Sequence, residues 1–149
     1  MISTHTSRRR PWQAWTLAGI QIFVAYQAIS GGIGLITDTW QLPSQWLTRT
    51  PFTSWVGPGW VLIGLIAVPH LLAAVPPLFL PANPRLGILS GLLAGASLLI
   101  WIGLQLALLQ VYFFLQPVIA ATGIAELVVA LLWHRRIGRP VRTAEAVRA

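Results

Sequence analysis

An all-α membrane protein, a four-helix transmembrane bundle, is the fold class this sequence predicts, and three observations predict it. The 149-residue chain is 56% hydrophobic and only 9% charged, with a mean hydropathy of +0.72, too little charge to cover a water-soluble domain. Four apolar runs, at about residues 14–36, 56–75, 86–109 and 117–133, each have about the length that crosses a hydrocarbon core. All ten basic residues are arginine, and nine of them fall on one side of such a chain: Arg8, Arg9, Arg10, Arg85, Arg135, Arg136, Arg139, Arg142 and Arg148, against Arg49 alone. Positive loops stay inside, so both termini are expected in the cytoplasm. The net charge of +7 thereby reads as topogenic, and no nucleic-acid partner is expected. Arginine without lysine, with abundant Ala, Leu and Gly, points to a GC-rich bacterial genome and hence to the inner membrane. No cysteine is present, which excludes disulfides, thiolate metal sites and thiol catalysis.

Residues 1–13 read as a cytoplasmic anchor. Ser7 to Arg10 superficially resembles a twin-arginine export signal, yet Pro11, Trp12 and Gln13 stand where that motif takes apolar residues. No small-residue cleavage site ends the run, so the anchor is expected to be retained. Span 1 has Trp12 and Trp15 at its inner interface and Gln21, Tyr26, Gln27 and Ser30 within. Its Gly31, Gly32 and Gly34 either permit a close helix approach or loosen its outer end. Residues 37–55 form the one long polar connection, with Asp38, Arg49, Trp40, Trp46 and Trp55. They read as an interfacial aromatic belt or as a recognition surface, with a short helix expected over Leu42–Leu47.

Span 2 carries Pro69 in its middle, where the missing donor is expected to kink the helix, and His70 follows directly. Pro76 and Pro77 are expected to end it. In span 3, Gly87, Gly91 and Gly95 repeat at spacing four and strip one helix face of side chains. That face serves packing within the bundle or homodimerisation, because lipid offers no hydrophobic drive between helices and close backbone contact replaces it. Trp101, Gln105 and Gln110 make the outer third of span 3 larger and more polar. The uncharged turn 111–115 makes the last two spans an antiparallel hairpin, and Gln116–Pro117 is a plausible start for span 4. An Arg-rich polar tail, 135–149, is expected to lie against anionic headgroups.

The interior polar residues are the candidate site. Hydrocarbon does not solvate a carboxylate, so Glu126, set among Val, Ala and Leu, is neutral, paired or facing a polar cavity. At 1.5 Å per residue it lies about 10 Å from the inner interface, and Gln21 lies about as deep, so the two form a candidate structural pair across the helices. His70 is reckoned nearer the midplane. Glu126 reads either as a proton-carrying or ligand-binding carboxylate or as a packing acid. His70 reads as a hydrogen-bond partner for a quinone or headgroup, as a proton relay, or as a neutral ring donating to a carbonyl freed by the proline. His70, Trp101, Gln105 and Glu126 are the polar handles expected of an intrabundle ligand pocket.

Counting removes other chemistries. His5 and His134 lie outside the core, so neither a bis-histidine haem nor a zinc site is expected. No serine sits in a nucleophile-like turn, and no glycine loop is placed to cradle phosphate. No cofactor, metal or catalytic residue is expected.

The stretches PFTSWVGPGWVL (Pro51–Leu62), WIGLQ (Trp101–Gln105) and LQPVIAATGIAEL (Leu115–Leu127) resemble a group of small four-span bacterial integral membrane proteins of unassigned activity. In that group Pro-Phe and Pro-Gly flank the entry to span 2, and a Gln-Pro with a later Gly and Glu marks span 4. More distantly, Gly123 and Glu126 resemble the fourth span of DoxX-like proteins, although this chain lacks a redox group. The resemblance implies the four-span fold and supplies no activity. The leading expectation is an accessory protein without its own catalytic centre, docking to a larger membrane complex or to a second copy through the span 3 glycine face or the Trp-rich loop. The alternative is a binding or transfer protein for an apolar ligand such as a quinone, isoprenoid or lipid. A weaker alternative is a subunit of a proton-coupled transporter.

Overall fold

The computed structural model describes residues 10–80 and 82–138; residues 1–9 of the expected anchor and 139–149 of the expected tail lie outside the described residues. Among the described residues the protein is all-helical. Its four long helices are α1 (Trp12–Ile36), α2 (Val56–Phe79), α3 (Pro84–Leu109) and α4 (Leu115–Ile137), with a short 3-10 turn, Ser44–Leu47, in the long connection. Each helix is long and apolar enough to cross a membrane, and the chain is a multi-pass membrane protein. Large apolar side chains such as Trp60, Leu72, Phe79, Leu93 and Ile100 point outward, as a lipid-facing surface requires.

Small residues decide how closely the helices approach. A Cβ built on Gly32 would lie 2.8 Å from the Gly59 carbonyl oxygen, and one on Gly95 would lie 2.6 Å from that of Gly123. The backbones of α1 and α2, and of α3 and α4, therefore cross in direct contact, gaining dispersion where lipid gives no hydrophobic drive. The rest of the glycine repeat is also used inside the chain: Trp133 covers Gly87, and Leu17 with Ala130 covers Gly91.

These crossings are antiparallel and give the bundle two distinct ends. The terminal end gathers Trp12, Phe79, Pro84 and Ile137; the loop end carries residues 37–55 and 110–114. At the terminal end Ala14, Leu17, Ile88, Val129, Ala130 and Trp133 form one apolar core. Arg136 adds to it by donating to Gln13 Oε1 at 3.2 Å. Toward the loop end Val24, Ala28, Ile66, Ala67 and Leu98 form a second core.

Several boundaries differ from the sequence reading. Helix α2 runs through Pro76 and Pro77 to Phe79, because the buried Pro77 packs beside the bare Gly87 and the lost ladder bonds fall close to the helix end. Within α2, residues Ile63–Ala67 are π-helical, with the Val68 amide donating five residues back to Ile63. This widened turn sits immediately before Pro69, where the backbone has no donor to offer, so the irregularity appears as a bulge in the ladder. Helix α1 begins within the expected anchor, at Trp12, and α4 takes up Arg135, Arg136 and Ile137 of the expected tail.

Candidate functional site

At the loop end α1 and α4 part, and a cavity of about 310 Å³ lies between the helices. Its walls come from all four helices, with Val24 and Ala28 on α1, Ile66 on α2, Leu98 and Trp101 on α3, and Ile119 and Thr122 on α4. The 37–55 connection folds back over it, and Trp40, Leu42, Trp46 and Trp55 complete the lining. Three contacts hold that cap. The Trp55 indole N–H donates to the Leu42 carbonyl at 2.9 Å, Trp46 meets Trp55 edge-on at 6.5 Å, and Trp40 packs against the bare Gly34. Asp38 and Gln41, both at positive φ, turn the chain on either side of Trp40. At the neighbouring turn Gln116 is occupied in closing the hairpin: its Oε1 accepts from the Phe113 amide at 3.1 Å and its Nε2 donates to Val111 at 3.2 Å.

Among the described residues no Asp, Glu, His, Lys or Arg lines this cavity; its polar groups are Gln27, Ser30, Gln105, Gln116, Thr122 and the indole N–H groups. Trp101 Nε1 is buried without a hydrogen-bond partner, an uncommon state for a group that can only donate. A shallow groove continues the cavity onto the lipid-facing seam of α1 and α4, sharing Phe23, Val118 and Thr122 with it and adding Gly19, Ala121 and Ala125. Cavity and groove together form a lateral opening.

Beneath the cavity lies a layer of three polar side chains, Gln21, His70 and Glu126, all fully buried. They stand nine, nine and eleven residues from the terminal ends of their helices, which places them in one layer about 13–17 Å deep. Each is one turn below a cavity-lining residue of its own helix: Val24 for Gln21, Ile66 for His70, Thr122 for Glu126. The layer separates the two apolar cores.

His70 and Glu126 come together where the sequence reading kept them at different depths. The Nε2 of His70 lies 3.6 Å from Glu126 Oε2. His70 Nδ1 lies 2.7 Å from the Ile66 carbonyl, which only accepts, so Nδ1 carries a proton and Nε2 is left as the atom that faces Glu126. The expected Gln21–Glu126 hydrogen bond is not made: neither amide atom of Gln21 and neither oxygen of Glu126 has a partner. Of the four expected handles, Trp101 and Gln105 line the cavity, while His70 and Glu126 lie one turn below its lining. The tryptophan cap and Gln116 are the additions that sequence reasoning passed over. Among the described residues no three metal-ligating side chains come together.

No family model matches the chain, and neither a curated protein nor a solved structure is significantly similar to it. The likeness to small four-span proteins rests on sequence motifs alone.

Proposed function

We propose that this protein binds an uncharged amphiphile taken laterally from the bilayer, a quinone, isoprenoid or neutral lipid with an apolar body and a hydrogen-bond acceptor at its head. The cavity is the observation that carries this reading. Its volume falls in the range of small-molecule sites, its lining is largely apolar with a few convergent polar groups, and the groove between α1 and α4 leads to lipid. An uncharged lining disfavours an ionised headgroup, which would lose its hydration without a counter-charge. The unpartnered Trp101 N–H selects for a carbonyl, ester or hydroxyl oxygen. The arginine distribution supports cytoplasmic termini and thus a cavity in the outer leaflet of a bacterial inner membrane.

Docking as an accessory subunit has less to stand on. The glycine face of α3 is occupied by Leu17, Gly123 and Trp133, and the loop tryptophans line the cavity.

Native mass spectrometry of the gently solubilised protein, paired with titration of a short-chain benzoquinone against tryptophan emission, tests the proposal. The expected result is one retained amphiphile per chain and saturable quenching, both lost in Ala28→Trp, which fills the cavity. Bare protein together with quenching that never saturates would overturn it.

A further inference from the structure

The layer below the cavity carries a second site that amphiphile binding does not use. We propose that His70 and Glu126 form a buried proton-binding pair, holding one proton between them and exchanging it through the loop end of the bundle.

The proton count follows from charge. With no proton between them, a carboxylate faces the bare Nε2: two acceptors, no donor, and a net negative charge in an apolar interior. With two, an acid faces an imidazolium and the net charge is positive. One proton leaves the pair neutral overall, whether it sits on Glu126 as an acid or on Nε2 opposite a carboxylate, and only that state avoids an uncompensated buried charge. Among the described residues no other titratable or charged group faces the pair. From α1 the layer receives Gln21, and α3 is small there, at Ala94 and Gly95. Among the described residues Tyr26 and Tyr112 are exposed, Asp38 and Arg49 belong to the long connection, and Arg10, Arg85, His134, Arg135 and Arg136 belong to the terminal end. Gln21 suits either position of the proton, since its amide has both a donor and an acceptor unpartnered.

Access is one-sided. Toward the terminal end the pair is sealed by the core of Leu17, Ile88, Val129, Ala130 and Trp133, whose one side-chain polar atom, the Trp133 indole N–H, donates and cannot accept a proton. Toward the loop end the cavity-lining Ile66 and Thr122 are one helical turn away, about 5 Å, a gap that a single bridging water spans. Ile66 belongs to both sites, because its side chain lines the cavity and its carbonyl accepts from His70 Nδ1.

The chain's few titratable residues make the test direct. It has only two glutamates, Glu126 and Glu145, and three histidines, His5, His70 and His134. With Glu145→Gln, His5→Gln and His134→Gln in place, 13C at the glutamate carboxyl and 15N in the histidine ring report on the pair alone. The measurement is magnetic resonance of protein in phosphatidylethanolamine–phosphatidylglycerol bilayers at neutral pH. The expected spectra show one proton besides that on Nδ1, as an acid with bare Nε2 or a carboxylate with imidazolium, and His70→Gln leaves Glu126 an acid. A carboxylate opposite a bare Nε2, or an acid beside imidazolium, would overturn the count even if no variant of the pair folds. For the route, exchange of the shared proton for deuterium should slow about tenfold or more in Ala28→Trp, equivalent to about 1.36 kcal/mol in barrier. Unchanged exchange there would overturn the route and leave the amphiphile proposal to its own titration.

Discussion

The crossing of α3 and α4 at Gly95 and Gly123 makes a quantitative claim that one pair of substitutions can test. In Gly95→Ala the new Cβ would stand 2.6 Å from the Gly123 carbonyl oxygen, 0.8 Å short of the 3.4 Å at which ordinary contact begins. The obstacle is backbone, so the helices must separate, and overpacking of this kind costs about 1–3 kcal/mol. Alanine also favours the helix over glycine by up to about 1 kcal/mol, which partly masks the clash. Gly103→Ala on the same helix supplies the correction, because a Cβ there meets nothing within 4 Å and changes propensity alone. The difference between the two variants isolates the steric part, about 1–3 kcal/mol, with Gly95→Ala the less stable. Unfolding in mixed micelles of rising dodecyl sulfate fraction, followed by circular dichroism, measures it. Variants equal within about 0.5 kcal/mol would refute the backbone contact, since that is the scatter of substitutions that touch nothing.

Other substitutions test the two cores and the cavity. Leu17→Ala, at a fully buried position of the terminal core, should lower stability by about 2–5 kcal/mol in the same unfolding assay. Gln116→Leu removes the two bonds that close the α3–α4 turn and should cost about 1–3 kcal/mol, with faster amide exchange at Phe113 as its local signature. Trp101→Phe deletes a buried donor without a partner, so the empty protein should be no less stable while affinity for the quinone probe falls about tenfold, the worth of one hydrogen bond. Unchanged affinity would remove Trp101 from the ligand's head.

The four spans were legible because the signal is long and local: a backbone in lipid must satisfy itself, so each run of apolar residues must be a helix. What a residue faces is not local. Gly32 and Gly95 announce close contact, but nothing in the sequence names Gly59 and Gly123 as the partners. Gln21 was paired with Glu126, and His70 left out, because His70 was placed near the midplane of span 2. Once α2 extends through Pro76 and Pro77 to Phe79, His70 stands as far from the terminal end as Gln21 does. The cavity left no signature of its own, because its roof comes from Trp40, Trp46 and Trp55 folding back. From sequence alone those residues are indistinguishable from an interfacial belt.

The place where the polar layer sits follows from the glycines. Near the loop end Gly32 and Gly59 draw α1 onto α2, while at the depth of the polar layer Gly95 and Gly123 hold α4 on α3. Nearer the terminal end α1 also packs on α4, through Ala14 and Leu17 against Ala130 and Trp133. A helix held against one neighbour at one end and another at the other must leave a wedge, and the cavity fills that wedge. Gln21, His70 and Glu126 lie where the wedge closes, the deepest level that an occupant or a water entering from the loop end can approach. One turn further toward the terminal end, the same groups would be buried in the solid core with nothing to satisfy them. One turn toward the loop end, they would line the cavity and charge it. The glycine crossings therefore set both the opening for an uncharged ligand and the buried position of the proton-binding pair.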